Sequence, residues 1–474
     1  MTTTNTNTNI FCPLDDRYSE ILKELNNAGE VNFMKLRLEV EIKYFLEMVK
    51  IKNRQLDQEV ITELNNLLTV DPTTYINDIK EIEKTTKHDV KAVEYFLRQI
   101  LEKNKVPNKT IEMVHYGLTS QDINTPALSL QLKSFNDVLC KNYDKLIQII
   151  STNVIEYNDL PMLAKTHGQP AIPTTLGNQF KVVLEGLKYH LNILKKLTIE
   201  GEGIPTKFGG AVGHLNAHYY VDPEIDWHSK FDKHISDEYQ LKRIKYVTQN
   251  LPYTYWSPIF DTYKNINCIL SDFCQDIWLM ISNGIFTQSV EEGQIGSSAM
   301  PQKVNPINFE NAEGNADMAI NMFEFLSRRL TKSRLQRDLT DSTILRNLPM
   351  PFGYSLIVIK SLIRGLNNIK PNHKKMFDEL ESNPSIISEG LQTILRNIGF
   401  PNPYEVLRKI TQNTHTKNIE KDKENENENQ DVSSLKDKLY INIHPIWHQG
   451  IIEMTEETIS KIEELNTLNY LGMF

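Results

Sequence analysis

Residues 296–306 bring hydroxyl groups and a cation together in one short polar segment, which reads GSSAMPQKVNP. Ser297 and Ser298 supply the hydroxyls, and Lys303 and Asn305 follow a few residues later. The two prolines and the leading glycine argue against a regular helix or a central strand, so we expect a loop. A hydroxyl close to a cation suits chemistry on an anionic substrate. The alternative interpretation is an ordinary turn between two helices.

One histidine, His167, lies in a second polar segment, KTHGQPAIPTT (165–175). A lone histidine is more often structural than catalytic, but this one lies on no apolar stripe and precedes a long helical pattern. An imidazole in a loop can give and take a proton near neutral pH. His167 is therefore a candidate for general acid–base catalysis.

A third segment, HYGLTSQDIN (115–124), contains Thr119, Ser120 and Asp122. These residue types are typical of a helix cap and predict a helix from about Pro126. The same hydroxyls and amides could instead hold a carboxylate or a phosphate at the helix N-terminus. Both interpretations stay open on the sequence alone.

A fourth segment, SRLQRDLTDSTILRN (333–347), interleaves arginines with hydroxyl side chains. The residues are Arg334, Arg337, Thr340, Ser342, Thr343 and Arg346. Forked guanidinium donors with nearby hydroxyls are what a phosphate group requires. The alternative is an exposed amphipathic helix whose arginines pair with Asp338 and Asp341.

The elements that must position these segments are long amphipathic helices. One apolar stripe runs through Leu176, Phe180, Leu184, Leu187, Leu191 and Leu194, and another from Leu132 to Val154. Such stripes predict an all-α fold with a central bundle of long helices. We expect an N-terminal helical domain (1–115), a central long-helix bundle domain (116–370) and a C-terminal helical domain (371–474). A low-complexity insertion near 418–434 interrupts the last one.

Composition narrows the function classes. The net charge of −9 argues against nucleic acid as a partner, so an anionic ligand needs locally gathered positive charge. The four cysteines show neither metal-ligand nor disulfide spacing, and the 12 histidines show no HExxH-like spacing. No apolar run reaches membrane-spanning length. We expect a cytoplasmic protein that uses neither a metal nor another cofactor.

The loop GSSAMPQKVNP resembles the signature loop of the fumarase/aspartase superfamily of lyases, GSSxMPxKxNP. The segments THGQPA and TSQDIN resemble two further signatures of that superfamily, and they occur in the expected order. Within it, KTTKHDVKAVEYFL (84–97), RDLTDSTILRN (337–347) and DDRYS (15–19) resemble the adenylosuccinate lyase family. One departure is Gln302, where that family commonly has His.

This resemblance implies an anti β-elimination that releases fumarate from adenylosuccinate and from the succinyl-aminoimidazole-carboxamide ribotide. It implies that Ser297 is the general base and His167 the general acid. Lys303 and Asn305 would stabilise the serine alkoxide and the aci-carboxylate that forms from the succinyl group. Glu310 would orient His167.

The resemblance also implies the residues that bind substrate. Those around the nucleotide phosphate and ribose would be Arg17, Tyr18, Arg337, Ser342, Thr343 and Arg346. Lys87, His88 and Asp89 would flank the nucleotide and His167. Thr119 and Ser120 would bind a succinyl carboxylate, and Gln249 and Asn305 would add amide contacts.

The superfamily's members are homotetramers whose active sites take residues from three subunits, so the resemblance implies the same assembly here. Two alternatives remain at this stage. Another lyase of the superfamily, such as argininosuccinate lyase, has no phosphate on its substrate and would leave the 334–346 segment unused. A catalytically silent helical scaffold would not need Ser297, Lys303 and His167 together.

Overall fold

A computed structural model describes residues 12–200, 203–289, 300 and 302–409 of the chain. In these residues the structure is dominated by helices, which confirms the predicted all-α class. The helices are α1 (Ser19–Leu22), α2 (Glu30–Ile51), α3 (Gln58–Thr69), α4 (Ile76–Thr86), α5 (Asp89–Lys103), α6 (Asn108–Ile111), α7 (Ser120–Glu156), α8 (Leu176–Lys195), α9 (Asn216–Val221), α10 (Trp227–Tyr239), α11 (Ser257–Ser282), α12 (Ile307–Leu330), α13 (Thr340–Leu345), α14 (Pro349–Asn367), α15 (His373–Glu381) and α16 (Ser388–Asn397).

Short strands pair two by two between these helices. They are β1 (Pro161–Thr166), β2 (Gln169–Thr175), β3 (Ile204–Thr206), β4 (Leu241–Arg243), β5 (Phe286–Gln288) and β6 (Ile369–Pro371). β1 pairs with β2 and β5 with β6 in antiparallel fashion, whereas β3 and β4 are parallel. The strands therefore form three small two-stranded sheets that connect segments of a mainly helical protein.

The chain divides into two compact units. The described residues within 1–147, 185–276 and 306–367 form the first unit, and those within 148–184, 277–305 and 368–474 form the second. The three-domain division stays a prediction, and the insertion near 418–434 lies outside the described residues. No helix in the described ranges is long and apolar enough to cross a membrane.

Four long helices of the first unit meet at a cluster of aromatic rings. Phe135 of α7, Tyr263 of α11, Phe323 of α12 and Phe352 of α14 are fully buried. Their neighbouring ring centroids lie 5.0–5.3 Å apart, in tilted, edge-on and stacked pairs. Such ring pairs add stability beyond the burial of their area. The cluster is therefore the point at which the predicted bundle of long helices is fixed.

The start of α7 differs from the prediction. The helix begins at Ser120 rather than near Pro126, which lies inside it. The reason is the cap: the Asp122 carboxylate accepts a hydrogen bond from the Thr119 backbone N–H at 2.9 Å, and the Asp122 N–H donates to the Thr119 carbonyl at 2.8 Å. Reciprocal bonds of this kind fix the first turn of a helix. The capping interpretation of this segment is thus correct, with an earlier first residue.

The second unit contains the β1–β2 hairpin. Thr166 pairs with Gln169, so His167 and Gly168 alone form the turn. Both residues have positive φ angles, of 55° and 72°. A two-residue turn with two positive φ values matches the right-handed twist of the flanking strands. His167, predicted to lie in a loop, is therefore at the exposed tip of a tight hairpin.

Two buried histidines of the first unit make its stability depend on pH. Burial lowers the pKa of His218 and of His234 to about 4. Because an unfolded histidine has a pKa of about 6.5, the unfolded chain binds more protons between about pH 6.5 and pH 4. Stability that is complete above this window is therefore lost as the pH falls through it, by up to about 3 kcal/mol for each imidazole.

We expect the variant His234→Phe to lose less stability than the unsubstituted protein between pH 7 and pH 4.5. Phenylalanine cannot take up a proton, and the site already lies among the rings of Phe208 and Tyr239. The measurement is the urea unfolding midpoint at both pH values, with the exposed His214→Phe as control. Equal losses in the two variants would contradict the assignment.

Candidate active site

A cavity of about 590 Å³ in the first unit brings together most of the residues predicted to bind substrate. It collects the α4–α5 junction, the first turn of α7, Gln249 and the α13 segment. The predicted residues that line it are Lys87, His88, Asp89, Thr119, Ser120, Gln249, Arg337, Ser342, Thr343 and Arg346. Segments far apart in sequence therefore meet at one concave site.

A buried ion pair fixes the α7 end of this cavity. The Lys207 ammonium lies 2.6 Å from Oδ1 of Asp122, and neither side chain is exposed. The same oxygen accepts hydrogen bonds from the backbone N–H groups of Gly209 at 2.7 Å and Gly210 at 3.1 Å. The Thr119 N–H donates to the other oxygen, so both oxygens of the carboxylate accept hydrogen bonds from the protein. The Thr119 and Ser120 hydroxyls are thus held at the positive end of a long helix dipole.

The α4–α5 junction presents His88 to the cavity. Lys87 ends α4 in a left-handed conformation with φ of 55°, and His88 caps α5 by accepting the Lys91 backbone N–H on Nδ1 at 3.2 Å. In the neutral ring the proton is then on Nε2. That nitrogen lies 3.4 Å from the Ser120 hydroxyl oxygen. The junction therefore links the KHD segment to the first turn of α7.

Asp89 is held by an arginine that the sequence analysis did not single out. Nη2 of Arg37 donates to Oδ2 of Asp89 at 2.7 Å, and its Nε donates to Asn124 Oδ1 at 2.8 Å. Burial alone would raise the pKa of Asp89, but the charge of Arg37, the Val90 N–H and Arg346 lower it. The sequence carried no signal for Arg37, because α2 contains seven other charged residues among which it does not stand out.

Arg337 differs from the other arginines of the cavity in its partners. Its described hydrogen bonds go to neutral groups: Gln249 Oε1 at 3.3 Å and Ser342 Oγ at 3.1 Å. Its two Nη atoms also lie 2.9 and 3.1 Å from the Gln121 amide oxygen, in the orientation that satisfies both ends of that amide. Because no described carboxylate bonds to it, Arg337 keeps its charge for an anionic ligand.

Arg346 is more exposed than Arg337. Its Nη1 donates to Glu30 at 2.9 Å, and its Nη2 lies 3.5 Å from Asp89. Its side chain is 54% exposed. The alternative interpretation, an exposed helix whose arginines pair with Asp338 and Asp341, is not what the described hydrogen bonds show. The helix of this segment, α13, is short, and its Asp341 accepts from Tyr253.

Comparison with known proteins identifies the family of this chain. A family model described as "Lyase" matches residues 26–320, and one described as "Adenylosuccinate lyase C-terminal" matches residues 333–441. A protein named adenylosuccinate lyase from Dictyostelium discoideum is 37% identical over 492 residues, covering 100% of this chain and 99% of that protein. The chain belongs to the adenylosuccinate lyase family. The resemblance predicted from the signature segments is confirmed.

Other relatives extend the agreement. The adenylosuccinate lyase of Escherichia coli strain K12 is 36% identical over 84% of this chain and 88% of its own length. Among solved structures, a fumarate lyase from Mesorhizobium sp. BNC1 has a TM-score of 0.71 at 13% identity, covering 93% and 92% of the two chains. A 3-carboxy-cis,cis-muconate lactonizing enzyme from Pseudomonas putida has a TM-score of 0.68 at 18% identity, covering 86% and 88%. These two structures support the fold alone.

Arg17 and Tyr18, which the adenylosuccinate lyase resemblance assigns to the nucleotide, do not line the described cavity. The Tyr18 hydroxyl accepts a hydrogen bond from Asn311 Nδ2 at 2.8 Å. Burial alone would raise the pKa of Tyr18, but the amides of Asn315 and Asn311 and the charge of Arg17 lower it. Their contact with substrate stays a prediction.

The residues assigned to the chemistry are distributed over both units of this adenylosuccinate lyase family member. His167, Lys303 and Asn305 lie in the second unit, and Glu310 lies in the first turn of α12 in the first unit. The Lys303 N–H donates to the Met300 carbonyl, and Gln288 Nε2 donates to the Val304 carbonyl at 2.9 Å. Gln302, the departure from the family pattern, is exposed. Ser297 lies outside the described residues, so its role stays a prediction.

Proposed function

We propose that the protein splits fumarate from adenylosuccinate to leave AMP, and from the succinyl-aminoimidazole-carboxamide ribotide in the same way. The observation that carries this proposal is the cavity in which Arg337 is bonded to neutral groups. A cation that bonds to no carboxylate among the described residues is suited to a phosphate, and Ser342 beside it offers a hydroxyl. The names of the relatives support the same substrate.

The opposite part of the proposed ligand is a dicarboxylate. Thr119 and Ser120 offer hydroxyls at the N-terminus of α7, where a carboxylate is favoured by the helix dipole. A site with phosphate donors and carboxylate donors fits a succinylated nucleotide. Argininosuccinate has no phosphate and would leave Arg337 without a ligand group, so the alternative lyase is disfavoured.

For the chemistry, we propose that Ser297 removes a proton from the succinyl carbon next to a carboxylate. The electron pair moves into that carboxylate, and the neighbouring carbon–nitrogen bond then breaks. His167 gives a proton to the departing nitrogen, with Glu310 orienting its ring. Lys303 and Asn305 stabilise the negative charge on the serine and on the aci-carboxylate.

The test is fumarate release from adenylosuccinate by the purified protein, with argininosuccinate as the comparison substrate. We expect release from the first and none from the second. Release from argininosuccinate alone would overturn the proposal.

We expect Arg337→Ala to weaken binding of AMP as well as of adenylosuccinate, by roughly ten- to a hundredfold, because it removes a charge-assisted donor pair. The measurement is the competitive inhibition constant of AMP in the fumarate assay. Arg334→Ala, a neighbouring exposed arginine, is the matched control. An unchanged AMP constant would mean that the phosphate binds elsewhere.

We also propose a cytoplasmic homotetramer in which each active site takes residues from neighbouring subunits. The support is apolar surface on a long helix: Ile307, Met318 and Phe325 of α12 are each about half exposed. Met318 and Phe325 are seven residues apart and so share a face of the helix. Light scattering on the purified protein measures the assembly directly.

The support for the cytoplasmic location is the four free cysteines, which suit a reducing compartment.

A further inference from the structure

Four charged side chains form a closed ring at one side of the cavity. Arg37 contacts Glu30 at 3.4 Å and Asp89 at 2.7 Å. Arg346 contacts the same two carboxylates, at 2.9 and 3.5 Å. Each carboxylate is therefore shared between two arginines, and positive and negative charges alternate around the ring.

The two arginines of this ring are held very differently. The Arg37 side chain is 3% exposed, and its guanidinium carbon lies 3.9 Å from the centre of the Phe33 ring. Its Nε is bonded to Asn124, so its plane and position are fixed. Arg346 is 54% exposed, and its described bonds go to the two shared carboxylates. Arg37 is thus fixed in the protein interior, whereas Arg346 is an exposed side chain at the surface of the cavity.

We propose that Arg37 is a positioning residue of the nucleotide site, and that it allows Arg346 to leave Glu30 and Asp89 for an anionic oxygen of the ligand. This inference rests on the proposed function, since the ligand oxygen is taken to belong to a nucleotide phosphate. Arg37 lines the same cavity, but its side chain is 3% exposed, so we assign its effect to the two carboxylates rather than to direct contact with the ligand.

The physical reason is that the positive charge of Arg37 stays beside the two carboxylates when Arg346 moves to the ligand. While Arg346 is bound to the ligand, Arg37 still neutralises one of the two carboxylates and holds Asp89 by its shortest ion pair. Without Arg37, the carboxylates of Glu30 and Asp89 would be left with Arg346 as the one arginine or lysine that pairs with them among the described residues. They would retain Arg346 more strongly and would repel a phosphate, and this repulsion is large where water is excluded.

The first test is Arg37→Met, which keeps most of the side-chain length and removes the charge. We expect the inhibition constant of AMP to rise at least about tenfold, since truncation of one partner of a buried charge pair leaves the other unpaired. The constant of adenosine, which has no phosphate, should change much less. A loss that is equal for AMP and adenosine would show a merely structural role and would overturn the inference.

The second test removes a negative charge instead of a positive one. It uses further variants, so the inference stays testable even if Arg37→Met fails to fold. Glu30→Gln removes one carboxylate that retains Arg346, so we expect AMP to bind as tightly as before or more tightly. In the double variant Arg37→Met/Glu30→Gln, we expect part of the lost AMP affinity to return. Weaker AMP binding in Glu30→Gln, or no recovery in the double variant, would overturn the inference.

The unsubstituted protein separates this inference from the proposed function. If it releases fumarate and is inhibited by AMP while Arg37→Met behaves identically, the positioning role fails and the function stands. If it neither releases fumarate from adenylosuccinate nor responds to AMP, the proposed function fails and the inference falls with it.

Discussion

Replacing Ser297 with alanine should lower kcat by roughly 10²–10⁴-fold while the inhibition constant of AMP stays nearly unchanged. A general base accepts a proton in the transition state. Its loss therefore raises the activation free energy and leaves the affinity for ground-state ligands nearly unchanged. The measurement is fumarate release at saturating adenylosuccinate, together with AMP inhibition in the same assay.

The chain provides its own control for this variant. Ser298 is the adjacent residue with the same side chain, and Ser298→Ala removes the same atom from the neighbouring position of the sequence. We expect it to keep a much larger share of the activity. Near-normal turnover by Ser297→Ala would remove that residue from the role of base.

Replacing Lys207 with methionine should destabilise the protein by about 3–5 kcal/mol, because it leaves a fully buried carboxylate without its cation. Asp122 would still accept the N–H groups of Thr119, Gly209 and Gly210, but a carboxylate in the interior needs a compensating charge. The measurement is the free energy of unfolding in urea. Fumarate release should fall as well, because Asp122 caps the helix that presents Thr119 and Ser120.

Two comparisons distinguish this effect from the loss of any lysine. Lys133 and Asp137 form an ion pair at 3.1 Å on the outer face of the same helix, with side chains 32% and 53% exposed. Lys133→Met should cost less than about 1 kcal/mol, since exposed pairs contribute little. The double variant Lys207→Met/Asp122→Asn should recover part of the stability, because the unpaired charge is gone. Equal losses in the two lysine variants would contradict the assignment.

The fold was predictable from the sequence to the extent that it depends on local patterns. The apolar stripe on α8 runs through leucines and a phenylalanine that are all buried, and it required only spacing to find. The beginning of α7 was misplaced because a proline was taken as the first residue of the helix. The cap that decides the start, Thr119 with Asp122, was visible in the sequence, but its strength comes from Lys207 and two glycines far along the chain.

The candidate site divides in the same way. His88, Thr119 and Arg337 could be named because they lie in recognisable segments. Arg37 could not, because it is one of several charged residues in α2 and nothing distinguishes it until its partners Asp89 and Asn124 are known. Gln121 and Asn124 were within a named segment, yet only their contacts with arginines show that their amides matter.

The bonding of Arg337 to neutral hydrogen-bond partners links the stability of the protein to the concentration of its ligand. A guanidinium solvated by amides and a hydroxyl holds the folded chain less firmly than one paired with a carboxylate. An anion that binds there binds the folded state alone and shifts the unfolding equilibrium by mass action, by about 2.7 kcal/mol at a hundred times its Kd. A cell rich in the nucleotide would therefore hold less of this protein unfolded, and open to proteolysis, than a depleted one.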